Sequence, residues 1–154
     1  MFEDVLGDWP KHDRFILVSC DEKYLNKYFP RFYKTFTQHW QLPVHVHLID
    51  PSQNSLGRLN DLGISHTYCN TNAEYLKWAY SFATYCQAQR FIVLGHKASD
   101  TQSVIVADVD AYALRSPSTA QKDILFGDMA FTTFNTRLMA TFCHFHPSRR
   151  QEYM

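Results

Sequence analysis

The sequence has 154 residues, of which 45% are apolar, with 15 basic and 15 acidic side chains. That length suits one domain, expected over residues 1–154, with a core of its own. The balanced charge gives no ground for a nucleic-acid or anionic-membrane surface. No apolar run is long enough to span a bilayer, and the polar first twelve residues lack the apolar stretch of a signal peptide. Cys20, Cys69, Cys86 and Cys143 lie far apart with no C-x-x-C pair, which speaks against zinc-ribbon and thioredoxin-like readings. A soluble cytoplasmic protein with reduced thiols is the expectation.

Arg14 to Cys20 is a short apolar run with the length and β-branched content of a buried strand. Asp21 then offers an N-cap. Leu25, Phe29, Phe32, Phe36 and Trp40 recur every three or four residues, as on one face of a helix. Pro30 falls inside that pattern and predicts a kink or two short helices. Pro43 to Asp50 reads as a second strand, with Val44, Val46 and Leu48 alternating with His45 and His47. A short helix is expected over Leu56 to Leu62 and a weak third strand over Ile64 to Tyr68. Thr71-x-x-Glu74 has the form of a capping box, opening a helix that runs at least to Gln87. Ser103 to Ala107 is a fourth strand, leading into Asp108-Val109-Asp110. Further on, Phe126 to Phe131 has strand character and Pro147 onward that of a short helix. Strands alternating with helices in this order predict an α/β fold with a parallel sheet.

Ligands of open parallel sheets bind beyond the carboxyl ends of the strands. Asp21, Asp50, Asp108 and Asp110 all fall there. Two carboxylates one residue apart at a strand end can converge on one hard cation, which then bridges a diphosphate. An isolated Asp-x-Asp is a weak signal, since Asp is common in strand-terminal turns; the strand that precedes it gives it weight. Arg90 lies seven residues beyond Ala83 on the stripe Leu76, Tyr80, Ala83. A helix that persists so far turns Arg90 toward the core, where a guanidinium needs an anion such as a phosphate or Asp108; a frayed helix would let it reach water. His45 and His47 share a strand face, where histidines usually pack against neighbours. His144 and His146 are a better source of a third metal ligand. There is no G-x-G-x-x-G, Walker loop or G-x-S-x-G, which weakens dehydrogenase, kinase and hydrolase readings. A nucleotidyltransferase would call for a Gly-rich loop where Ser19 to Lys23 has no glycine.

These blocks resemble glycosyltransferase family eight. Phe15 to Tyr24 looks like its first strand and base-binding loop, which ends in a small residue, Asp and, three residues on, Tyr. Val44 to Asp50 is similar to its second strand, Tyr80 to Phe91 to its Arg-bearing helix, and Val104 to Pro117 to its Asp-x-Asp strand and the turn beyond. The resemblance covers roughly residues 14 to 120, in order. It implies a GT-A (Rossmann-like) fold, a mostly parallel sheet flanked by helices, of the nucleotide-diphospho-sugar transferase type. It also implies transfer of a sugar from a nucleotide diphosphosugar, expected to be a UDP-sugar, to an acceptor hydroxyl, as in a retaining hexosyltransferase. Cys20, Asp21 and Tyr24 would contact the nucleotide. Arg90 would contact the donor or brace Asp108, and Asp108 would touch the ribose or the metal. Mn²⁺ or Mg²⁺ would sit on Asp108 and Asp110, with His144 or His146 as a further ligand. Family members continue into an acceptor-binding half with a C-terminal metal-binding His motif that is not seen here, and they usually carry leucine where this chain has Ala107. The acceptor part is therefore expected to be lacking or minimal. The alternative is a non-catalytic module binding a nucleotide or a partner protein. Apolar surface left uncovered would favour a homo-oligomer.

Overall fold

The computed structural model describes residues 4–71, 73–78, 81–99, 101–119, 121, 129–134 and 137–145, the last two stretches as backbone. In chain order the elements are β1 (Leu6–Gly7), β2 (Arg14–Asp21), α1 (Glu22–Trp40), β3 (Val44–Ile49), α2 (Gln53–Asp61), β4 (His66–Cys69), α3 (Ala73–Trp78), α4 (Phe82–Lys97), β5 (Ser103–Ala107), β6 (Met129–Phe134) and β7 (Arg137–Phe145). They form a seven-stranded sheet in the order β1-β4-β3-β2-β5-β7-β6.

The four central strands β4, β3, β2 and β5 run parallel. The flanking β1, β7 and β6 pair antiparallel to their neighbours. Burial on both faces explains why β2 and β5 read as continuous apolar runs rather than alternating ones. On one face, α1 and α2 pack Leu25, Phe29, Phe32, Phe36, Leu56 and Leu59 against Ile16, Val18, Val46, Leu48 and Ile105. On the other, α4 sets Val93 and Leu94 on Phe15, Leu17, Val104 and Val106.

The structure departs from the sequence expectations at several elements. α1 is one continuous helix through Pro30, not two. Its buried face, with Phe32 and Phe36 stacked at 4.2 Å, holds the helix together across the missing N–H. α2 begins earlier, capped by Ser52, whose Oγ accepts from Ser55 N. The helix expected from Thr71 to Gln87 is replaced by α3 and α4. Thr71 is not the cap of a long helix: its N–H and hydroxyl both donate to the Asp50 carboxylate. α4 has its own cap, Ser81, accepting from Thr84 N.

β1 went unread because it is two residues long. It depends on Gly7, whose φ is +89° and where a Cβ would lie 2.7 Å from the His66 carbonyl oxygen. β6 overlaps the run expected from Phe126, and the residues from Pro147 onward lie outside the described residues.

Candidate functional site

The strand order fixes where a ligand can enter. From β2 the chain steps outward to β3 and β4, then returns to place β5 on β2's other side. The succession therefore reverses between β2 and β5, which opens a crevice at their carboxyl ends. In register, Val18 pairs with Ala107, so Ser19 and Asp108 come next on the two strands, with Asp21 two residues farther along β2. A cavity of about 290 Å³ lies there, lined by residues of β2 and the first turn of α1, the first turns of α4, and Asp108 to Asp110.

Among its lining residues are Cys20, Asp21, Tyr24, Asp108 and Asp110, all singled out in the sequence. Asp21 is the N-cap of α1, and its Oδ1 accepts from Tyr24 N at 2.8 Å. Tyr24, 40% exposed, forms one side of the opening. Phe82, at the start of α4 and 38% exposed, lines it as well. The N-terminal ends of both α1 and α4 therefore reach the cavity, bringing two partially positive helix ends to an opening with three carboxylates.

Arg90 does not line the cavity. It lies beneath α4, 2% exposed, and its Nη1 donates to Asp108 Oδ1. Ala83, used above to place Arg90 on an inward stripe, is itself exposed. Arg90 faces inward because it shares the buried side of α4 with Cys86, Gln89, Val93 and Leu94. Its Nε is buried with no hydrogen-bond partner, and the same is true of Ser19 Oγ, although Ser19 is part of the cavity wall.

Two thiols form part of the wall. Burial pushes Cys20 far above its ordinary value, with the charges of Asp21 and Cys86 adding to the shift. Burial, then the carboxylates of Asp21 and Asp50, raises Cys86 to about 12. Both are protonated at neutral pH, and among the described residues Cys20, Cys69 and Cys86 form no disulfide.

His45 and His47 belong to a buried hydrogen-bonded chain and do not line the cavity. His45 bonds Ser65 and Thr67 through its two ring nitrogens, each at 3.0 Å. His47 reaches Thr67 at 3.0 Å and the Cys69 sulfur at 3.4 Å. Both have hydroxyl or thiol neighbours and a core setting, as the packed reading of these histidines expects.

Mg²⁺ and Mn²⁺ can be bound through one or two protein carboxylates when phosphates and water complete the shell. Asp110 and the second oxygen of Asp108 have that chemistry. Among the described residues no group of three or more His, Cys, Asp or Glu side chains is placed to hold a metal. The backbone register sets His144 opposite Ile105, two positions back from Ala107 and away from the Asp108 end. His146 lies outside the described residues.

Ser19, Lys23, Phe82, Ala83, Cys86, Gln87 and Val109 also line the cavity and were not singled out in the sequence. Four of these lie on the first turns of α4. The signal that could have found them is Ser81, a helix cap whose recognition would have placed Phe82, Ala83, Cys86 and Gln87 on the opening turns.

The geometry has counterparts among solved structures. The apo-form of the glycosyltransferase GlyE from Streptococcus pneumoniae TIGR4 superposes with a TM-score of 0.56 at 15% identity, over 91% of this chain and 37% of that one. This is a GT-A fold. A second crystal structure of GlyE gives a TM-score of 0.55, also at 15% identity, over 90% of this chain and 37% of GlyE. The chain thus spans little more than a third of the length of the GlyE it matches. No family profile and no curated protein matches the sequence. Among the described residues, no helix is long and apolar enough to cross a membrane.

Proposed function

We propose that this chain carries the donor site of a metal-dependent glycosyltransferase that takes a sugar from a nucleotide diphosphosugar, a UDP-sugar by the family-eight resemblance. The observation that carries the reading is the convergence of Asp21, Asp108 and Asp110 on one cavity at the β2/β5 crevice of a GT-A fold. Three carboxylates beside one lining lysine, Lys23, make a poor receptor for a diphosphate unless a cation intervenes. Mn²⁺ or Mg²⁺ bound there supplies the positive charge that stabilises the departing diphosphate.

The protein's own groups would then divide the work. Asp110 and the second oxygen of Asp108 would hold the cation. Arg90 would orient Asp108 by donating to one of its oxygens, leaving the other for the opening. Tyr24 offers a ring to the nucleotide base at the mouth, and Asp21 and Cys20 flank the ribose and base. The N-terminal ends of α1 and α4 favour the anionic donor. The acceptor hydroxyl oxygen would bond to the anomeric carbon as that carbon's bond to the diphosphate breaks, and the hydroxyl proton would pass to the departing nucleoside diphosphate.

A second reading is a non-catalytic nucleotide- or partner-binding module that keeps the fold. Calorimetric titration of UDP with and without Mn²⁺, on wild type and Asp110→Ala, tests the site. The expected result is metal-dependent binding that the substitution removes. Absence of binding in every arm defeats the donor-site reading. Release of UDP from a UDP-sugar in Mn²⁺, faster in wild type than in Asp110→Ala, separates the enzyme from the module.

A further inference from the structure

The segment that bears the acidic pair lies along α1. Val109 is buried, and Ala111 and Ala113 pack against the cluster formed by α1 and the sheet. Asp110 and Tyr112 alternate with them and are exposed. Ala111 N donates to Asp108 O at 3.1 Å, so the segment begins with a tight turn. Nothing in that turn alone fixes where the exposed Asp110 carboxylate points.

Two contacts with α1 hold the outer end. Tyr24, Tyr28, Arg31 and Thr35 follow one another at spacings of four, three and four, so they form one stripe of the helix. Its first member, Tyr24, lines the cavity together with Asp110. Farther along, the Arg31 guanidinium lies 3.7 Å from the centre of the Tyr112 ring. Farther still, Thr35 Oγ1 accepts from Ala113 N at 3.1 Å while donating to Phe32 O at 3.2 Å. The Thr35 hydroxyl is thus fixed in direction by its own helix and presents its lone pair to the segment. Asp110 is flanked by a core anchor at Val109 and by these two tethers.

We propose that Thr35 and Arg31 are positioning residues for Asp110, so that α1 sets the geometry of the cation site through a clamp two turns and more beyond the cavity. The proposal rests on the donor-site reading above. It makes the cation-dependent part of donor binding sensitive to residues that touch neither donor nor cation.

Thr35→Val keeps the shape and removes the acceptor; Thr35→Ser restores it. Arg31→Met, at an exposed position, removes only the cation over Tyr112 and serves where the valine variant folds poorly. Two quantities are read on the full chain: amide exchange of the peptide covering residues 108–114, and the UDP dissociation constant with and without Mn²⁺. Faster exchange is expected in Thr35→Val, together with an about fivefold weaker UDP affinity in Mn²⁺, the size one hydrogen bond supports. Metal-free UDP affinity stays unchanged, Thr35→Ser returns both quantities to wild type, and Arg31→Met moves both in the same direction by less.

Unchanged exchange in both Thr35→Val and Arg31→Met overturns the clamp. Faster exchange with an unaltered Mn²⁺-dependent affinity overturns its role in positioning Asp110. Wild type without any Mn²⁺-dependent UDP binding is a different failure: it removes the donor-site reading and the positioning role with it.

Discussion

Arg90 is a cation held where water barely reaches, and Asp108, itself 20% exposed, answers it. Breaking such a pair from one side leaves a charge without its counter-ion, which costs more than the pair contributes over an apolar substitute. Asp108→Ala is therefore expected to lower unfolding free energy by about 3 kcal/mol, at the low end for buried pairs because Asp108 keeps some contact with water. Replacing both partners, Arg90→Met with Asp108→Ala, should recover part of that loss in urea titrations. A double variant no more stable than Asp108→Ala would mean that Asp108 does not neutralise Arg90. The histidines of β3 give a pH signature. Burial lowers His47 to about 3; burial, then the charges of His47 and His66, does the same for His45. Between that value and the ordinary 6.5 the unfolded chain binds protons that the folded chain does not. Stability is thus intact above pH 6.5 and falls as the pH drops toward 3, by about 1.4 kcal/mol per pH unit for each ring. His47→Asn retains an amide N–H able to reach Thr67 but does not titrate. Its urea midpoint should decline less steeply than that of wild type between pH 6.5 and 4.5; parallel declines would contradict the assignment.

At the scale of elements, α1 shows what sequence patterns can and cannot convey. Its apolar spacing was legible because Leu25, Phe29, Phe32 and Phe36 are all buried by one sheet face. Pro30 misled because a local breaker was weighed against local propensity alone, whereas the stacked face beneath it acts through tertiary contact. An exposed Pro30 removes one helix hydrogen bond and gains nothing from packing, so Pro30→Ala is expected to raise unfolding free energy by about 1 kcal/mol or more. A lowered urea midpoint in that variant would show that the helix needs the bend a proline imposes. The Asp-x-Asp strand was legible for the opposite reason: an apolar run buried on both faces must stop where polar chemistry begins, and Asp108 marks the stop. The α4 wall of the cavity was not legible. Thr71-x-x-Glu74 looks like a capping box, and only the carboxylate of Asp50, distant in sequence, shows that the Thr71 hydroxyl is engaged elsewhere. The ladder of His45, His47, Thr67 and Cys69 joins two strands, and no spacing within one strand reports a partner on another.

At the scale of the whole molecule, the exposed large apolar side chains among the described residues include Leu6 and Leu62, which stand apart, and four on or after the residues of the cavity. Tyr24 and Phe82 line the cavity, and Tyr112 and Leu114 follow directly on Asp110, with Leu114 80% exposed. Tyr24 and Phe82 at the mouth, with Tyr112 and Leu114 on the segment that runs from it along α1, form the kind of surface that tends to find a cover. A second copy of the chain is one cover that needs no other component, and a self-complementary edge would give a two-fold dimer. Dimerisation at micromolar concentration is the expected outcome in sedimentation equilibrium, with Leu114→Lys shifting the population toward monomer. Because Tyr24 and Phe82 of this surface line the cavity, saturating UDP with Mn²⁺ should also shift the balance toward monomer, by linkage between binding and association. A chain that sediments as a monomer at all concentrations would remove the homo-oligomer expectation. A dimer indifferent to both Leu114→Lys and UDP would place the contact on another face and leave the cavity mouth open to the donor.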